Sequence, residues 1–174
     1  MKKLFYCTLV VALTIAACSP AAKDTEAASQ TSSATDTMPR VTGIGGIFLS
    51  VDDPAKTMAW YRQNLGIAMD DYGAVFESRN ARSPQEANYL RWSIFPKGDP
   101  YFSPSSTEFM INYRVQNIEG LVRQLKAAGV TVLDSITAYE YGKFVHLSDP
   151  DGHKIELWEP IDSALTKLGG VTNK

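Results

Sequence analysis

The chain has 174 residues, 21% of them charged, a formal net charge of −2 and no run of basic side chains. That balance excludes a nucleic-acid surface built on phosphate neutralisation. Both cysteines, Cys7 and Cys18, fall within the first 18 residues, so the domain that follows has neither a disulfide framework nor a cysteine metal site.

Lys2 and Lys3 followed by the uncharged run Leu4 to Ala17 have the order of a secretory signal over residues 1–17, too short to favour a retained membrane helix. Ile15-Ala16-Ala17-Cys18 resembles a bacterial lipobox, which implies acylation of Cys18 and attachment to a membrane through lipid alone. Ser19 in the next position fits the outer membrane, facing the periplasm. Loss of Lys2 and Lys3 with the leader takes the net charge from −2 to −4. Residues 18–40 are mostly Ala, Ser, Thr, Asp and Gln, too poor in apolar side chains to repay the entropy of ordering, and are expected to form a flexible tether.

The domain is expected over residues 41–160, with 161–174 as a tail. Gly43 to Gly46 precede a strand, Ile47 to Val51, instead of joining a strand to a helix, so a phosphate loop is not supported. Asp52 or Asp53 caps a helix that Pro54 begins and Gly66 ends, with Met58, Tyr61 and Leu65 on one face. Strands follow at Met69–Tyr72, Ala74–Ser78 and Tyr89–Phe95, and the proline-rich stretch 96–106 reads as a linker. The pattern then repeats: strand Glu108–Val115, cap Asn117, a helix with Ile118, Leu121, Val122 and Leu125 as its buried stripe, and Gly129 as its stop. Further strands are expected at Val130–Asp134, Lys143–Ser148 and His153–Glu159. The fold class is therefore α+β, with duplicated βαβββ modules.

Asp149-Pro150-Asp151-Gly152 joins the last two strands as a hairpin turn, and alternation puts Lys154, Glu156 and Trp158 on the face opposite Ile155 and Leu157. This hairpin, together with Asp53 to Gly66, resembles the vicinal oxygen chelate superfamily of glyoxalases, bleomycin-resistance proteins and dioxygenases. The resemblance implies a curved mixed sheet enclosing a ligand cup, lined by Phe48, Ser50, Met110, Asn112, Arg114, Glu156 and Trp158. It also implies metal ligands at the positions of Gly46, Met110 and Glu156. Glycine offers no donor and a thioether is soft, so one carboxylate remains and no cofactor is expected, a divalent metal staying open only through Glu156.

Two registers are open across the hairpin: one sets His146 beside Glu156 as an acid/base candidate, the other sets Val145 there. His153 is expected to face solvent. Arg114 is read either as a fork for a ligand carboxylate or phosphate, or as a rim arginine paired with Glu108 or Glu156. Phe48, Trp92, Phe144 and Trp158 are candidate aromatic walls. Tyr101, Phe102, Tyr139 and Tyr141 are expected to be exposed, at a lid or a dimer contact. The leading expectation is a lipid-anchored protein that sequesters a small molecule, with a homodimer open. The alternatives are a metal-dependent glyoxalase-like lyase, isomerase or dioxygenase using Glu156, and an envelope interaction module.

Overall fold

A computed structural model describes residues 37–174 of the chain. The leader, Cys18 and most of the tether lie outside the described residues. The elements are β1 (Arg40–Val51), α1 (Pro54–Leu65), β2 (Gly73–Arg79), β3 (Ala87–Pro96), β4 (Phe109–Gln116), α2 (Ile118–Ala127), β5 (Thr137–Tyr139), β6 (Gly142–Ser148), β7 (Lys154–Pro160) and α3 (Asp162–Leu168). They form a curved mixed sheet of order β2-β3-β1-β4-β7-β6-β5. β1 and β4, the first strands of the two repeats, meet antiparallel at its centre, and each has its own module's later strand, β3 or β7, parallel on its other side.

Local chemistry explains the helices. Asp53 accepts the Lys56 amide as N-cap, Pro54 opens α1, and Gly66 closes it at φ 67°. Asn117 caps α2 from the left-handed region at φ 55°, accepting the Gly120 amide. Both helices cover the convex face. Ile47, Leu49 and Val51 of β1 pack with Met58 and Tyr61 of α1, and Val115 of β4 packs with Ile118 and Val122 of α2. Leu65 departs from the expected stripe: it is the last residue of α1, before the Gly66 cap, and is 58% exposed.

Two expected strands are not strands. Residues 69–72 form a turn in which the Asp70 side chain takes the Tyr72 amide, leaving one bridge from Asp70 to Gly73. Residues 130–134 make one bridge, Val132 to Leu147, before the chain leaves the sheet edge. The stretch expected as a linker carries a short 3-10 turn, Pro100–Phe102, capped by Asp99, with Phe102 buried against Phe48 and Met110. The expected tail folds as α3, and beyond it Asn173 bridges to Phe76 of β2 and ties its side chain to Ala68 and Val75.

Candidate functional site

The concave face encloses a cavity of about 790 Å³ whose wall includes Phe48, Asn112, Phe144, His146, Glu156 and Trp158. Strand pairing sets its floor. Asn112 on β4 is level with Glu156 on β7, which is level with His146 on β6. The hairpin takes the His146 register because Asp149 accepts the amides of Asp151 and His153 and holds the His153 ring at 2.6 Å, with Gly152 at φ 84°. His153 is thus partly buried in the turn, where open solvent was expected.

Glu156 is 2% exposed and accepts hydrogen bonds from three side chains. Asn112 Nδ2 donates to Oε1 at 2.5 Å, and His146 Nε2 and the Tyr101 hydroxyl both donate to Oε2, the histidine at 3.0 Å. Asp134 completes the chain: its carboxylate takes both the His146 amide, at 2.8 Å, and the ring Nδ1, at 2.6 Å. A ring between two carboxylates donates from both nitrogens only as imidazolium. Burial lowers the His146 pKa, yet the bonds to Glu156 and Asp134 outweigh it and hold it above the ordinary 6.5. Burial, then the Glu156 charge, push the Tyr101 phenol far above its ordinary range, so it stays protonated. Lys154, against the Tyr101 carbonyl at 2.7 Å, has its pKa lowered by burial.

On the other module's side of the cup, Arg91 forks onto Asp70 at 2.6 and 2.7 Å and donates through Nε to Ser93. Gly45 explains the glycine-rich start of β1. The pairing with β4 slips between Ile44 and Gly46, and a Cβ at Gly45 would lie 2.2 Å from Asn112 Oδ1 and 2.8 Å from Trp158.

Several residues assigned to the cup from sequence lie elsewhere. Ser50 lines a separate surface crevice beside α1. Met110 is fully buried between Phe48 and Phe102. Arg114 is 6% exposed and bonds to Asp162 of α3, Asn88 and the Tyr89 carbonyl, with its guanidinium over Trp158; neither Glu108 nor Glu156 is its partner. Trp92 packs edge-on against Tyr61 on the convex face. Conversely, Tyr101 and Phe102 are not lid or contact aromatics: Phe102 is core, and Tyr101 belongs to the Glu156 network. Sequence reasoning missed Tyr101, Asp134 and Asp162, which fall in irregular or terminal segments with no periodicity. An Asp after an apolar run and a tyrosine in a proline-rich loop were the available signals.

The metal positions implied by resemblance do not fit a divalent ion. Gly46 brings no donor, the Met110 sulfur is enclosed by aromatic rings, and the Glu156 oxygens are occupied by protein donors. Among the described residues no group of three or more His, Cys, Asp or Glu is placed to hold a metal.

Residues 43–157 match the family model described as Glyoxalase/Bleomycin resistance protein/Dioxygenase superfamily. A methylmalonyl-CoA epimerase variant from Streptomyces coelicolor, in complex with 2-nitronate-propionyl-CoA, aligns over 70% of this chain and 99% of its own at 16% identity and TM-score 0.51. The Mn(II)-bound glyoxalase from Novosphingobium aromaticivorans aligns over 79% of this chain and 43% of its own at 18% identity and TM-score 0.51. At these identities the likeness carries the fold alone. No curated protein matches the chain.

Proposed function

The chain belongs to the glyoxalase/bleomycin resistance protein/dioxygenase superfamily, and from that membership we propose that it binds a small molecule in the cup without the metal triad of its metal-dependent relatives. The observation that carries this is the state of Glu156: both oxygens of the one carboxylate left from the implied ligand set are already bonded by Tyr101, Asn112 and His146 at the floor of an aromatic-walled cavity. A structural neighbour in the same fold holds a CoA derivative, which supports the cup as a place for small organic molecules. We place the domain at a membrane surface through acylated Cys18, in the outer membrane facing the periplasm. That placement rests on the leader sequence.

Calorimetry with Zn²⁺, Mn²⁺ and Ni²⁺ on the metal-stripped protein, with elemental analysis of the protein as purified, tests the reading. No stoichiometric metal is expected, and a one-to-one ion abolished by Glu156→Ala would overturn it. A second reading has one observation behind it: the alignment Asp134, His146, Glu156, Tyr101 is also that of a metal-free proton-transfer site. Turnover of a bound carbon acid, lost in His146→Gln while binding persists, would favour it.

A further inference from the structure

The Tyr101 and His146 hydrogens on the cavity floor are already assigned. Tyr101 lines the cavity, and its hydroxyl hydrogen is directed at Glu156, so its oxygen has only lone-pair density left for a ligand. Glu156 is itself an acceptor. Both ring hydrogens of the His146 imidazolium point at carboxylates. Charge on the lining leans the same way: it holds Asp70, Asp134 and Glu156 against Arg91 and His146, each of those cations already bonded to a carboxylate, while Lys154, which also acts on Asp134 and Glu156, is held outside the lining on the Tyr101 carbonyl.

The walls of the cavity are aromatic. Phe144 and Trp158 stack on each other at 5.8 Å with 9° between planes, and Tyr139 and Tyr141 at 5.5 Å with 4°. Phe95 stacks on Tyr101 itself at 5.4 Å. Flat, rigid faces of this kind favour a planar ring system through offset stacking and area burial. The Tyr101 oxygen, with its hydrogen spent on Glu156, then asks one thing of a ring held among these aromatic walls: a hydrogen to donate.

We propose, building on the cup-binding reading above, that the cavity selects uncharged planar aromatic molecules carrying an O–H or N–H donor, and that Tyr101 is the residue that recognises the donor. Glu156 fixes the direction of the Tyr101 hydroxyl, and Asp134 and His146 keep Glu156 in its place. An aryl carboxylate would set lone pairs against lone pairs in a cavity of net negative lining. An aryl ether would fill the same space and leave the Tyr101 oxygen without a partner. This differs from the carboxylate- or phosphate-binding expectation drawn from Arg114, whose guanidinium is held by α3.

The test uses three probes with one ring system and different polar groups, 2-naphthol, 2-methoxynaphthalene and 2-naphthoate, titrated calorimetrically into the full-length protein at neutral pH. 2-Naphthol is expected to bind roughly tenfold more tightly than the ether, the size of one hydrogen bond to a partly buried acceptor, with 2-naphthoate weakest. In Tyr101→Phe, naphthol and ether should bind equally. Naphthoate binding as tightly as naphthol, or a naphthol preference that survives Tyr101→Phe, would overturn the proposal. Equal binding of all three leaves the aromatic cup standing and removes donor recognition, whereas no binding of any removes both. The comparison on the unaltered protein does not depend on the variant, whose fold is checked by its amide NMR spectrum.

Discussion

Glu156→Ala would leave three side-chain donors without their acceptor, one of them a charged imidazolium, at a position that is 2% exposed. A buried donor left unpaired costs about 1–3 kcal/mol, and the His146 ring still keeps Asp134 as its charge partner. We expect urea unfolding of Glu156→Ala to show a loss of this order, and a loss below about 1 kcal/mol would mean that the network is open to water. His146 gives a second prediction with a definite sign. Its folded pKa is raised above the ordinary 6.5, so its contribution to stability is complete below the unfolded value and is lost as pH rises through the folded one. The urea midpoint should therefore fall as pH increases from about 6.5, and His146→Gln should flatten that limb. Asp134, Glu156 and Lys154 all act on the ring, so the difference between the two proteins, and not either curve alone, reports His146.

At the scale of elements, β1 is the most demanding. Its register slips where Gly45 faces the Asn112 amide, and any Cβ there meets oxygen at 2.2 Å and Arg114 Cγ at 2.9 Å. Gly45→Ala should cost about 1–3 kcal/mol by overpacking and shift the Trp158 fluorescence, whereas Gly43→Ala, with its nearest contact at 4.0 Å, should be close to neutral. A glycine run before a strand shows in sequence only that something is unusual; the bulge and the close approach belong to tertiary pairing. The elements with their own chemistry were legible: Asp53, Pro54 and Gly66 bound α1, Asn117 caps α2, and the DPDG turn carries the last hairpin. The strands expected at residues 69–72 and 130–134 failed for one reason. In each, an aspartate side chain takes up a backbone amide, Asp70 that of Tyr72 and Asp134 that of His146, and the pairing is cut to one bridge. The same irregularity hid Asp134 and Tyr101 from sequence reasoning, since alternation assigns faces only inside strands.

Taken whole, the sheet is symmetric in topology and asymmetric in chemistry. β1 and β4 meet at the centre with a parallel strand beyond each, yet one half of the cup is closed by the Asp70–Arg91 pair and the other by the Glu156 network. Duplication was readable from the repeated cap, helix and glycine. The use of residues 161–174 was not, because a short helix with no side-chain cap looks like any polar tail. In the folded protein that segment contributes Leu165, Leu168 and Val171 to the cavity wall and Asp162 to the buried Arg114. A chain ending at Pro160 should keep both modules and its far-ultraviolet dichroism, since all seven strands remain. It should nevertheless lose about 3 kcal/mol, as Arg114 would keep only the Tyr89 carbonyl, Asn88 and the Trp158 face. Asp162→Ala in the full chain should reproduce the part of that loss that belongs to Arg114, the rest belonging to the Asn173 bonds to Ala68 and Val75. If truncation leaves the urea midpoint unchanged, the segment is only a cover, and Arg114 becomes available to a ligand anion. The aromatic-donor selectivity of the cup therefore depends on α3 keeping that guanidinium occupied.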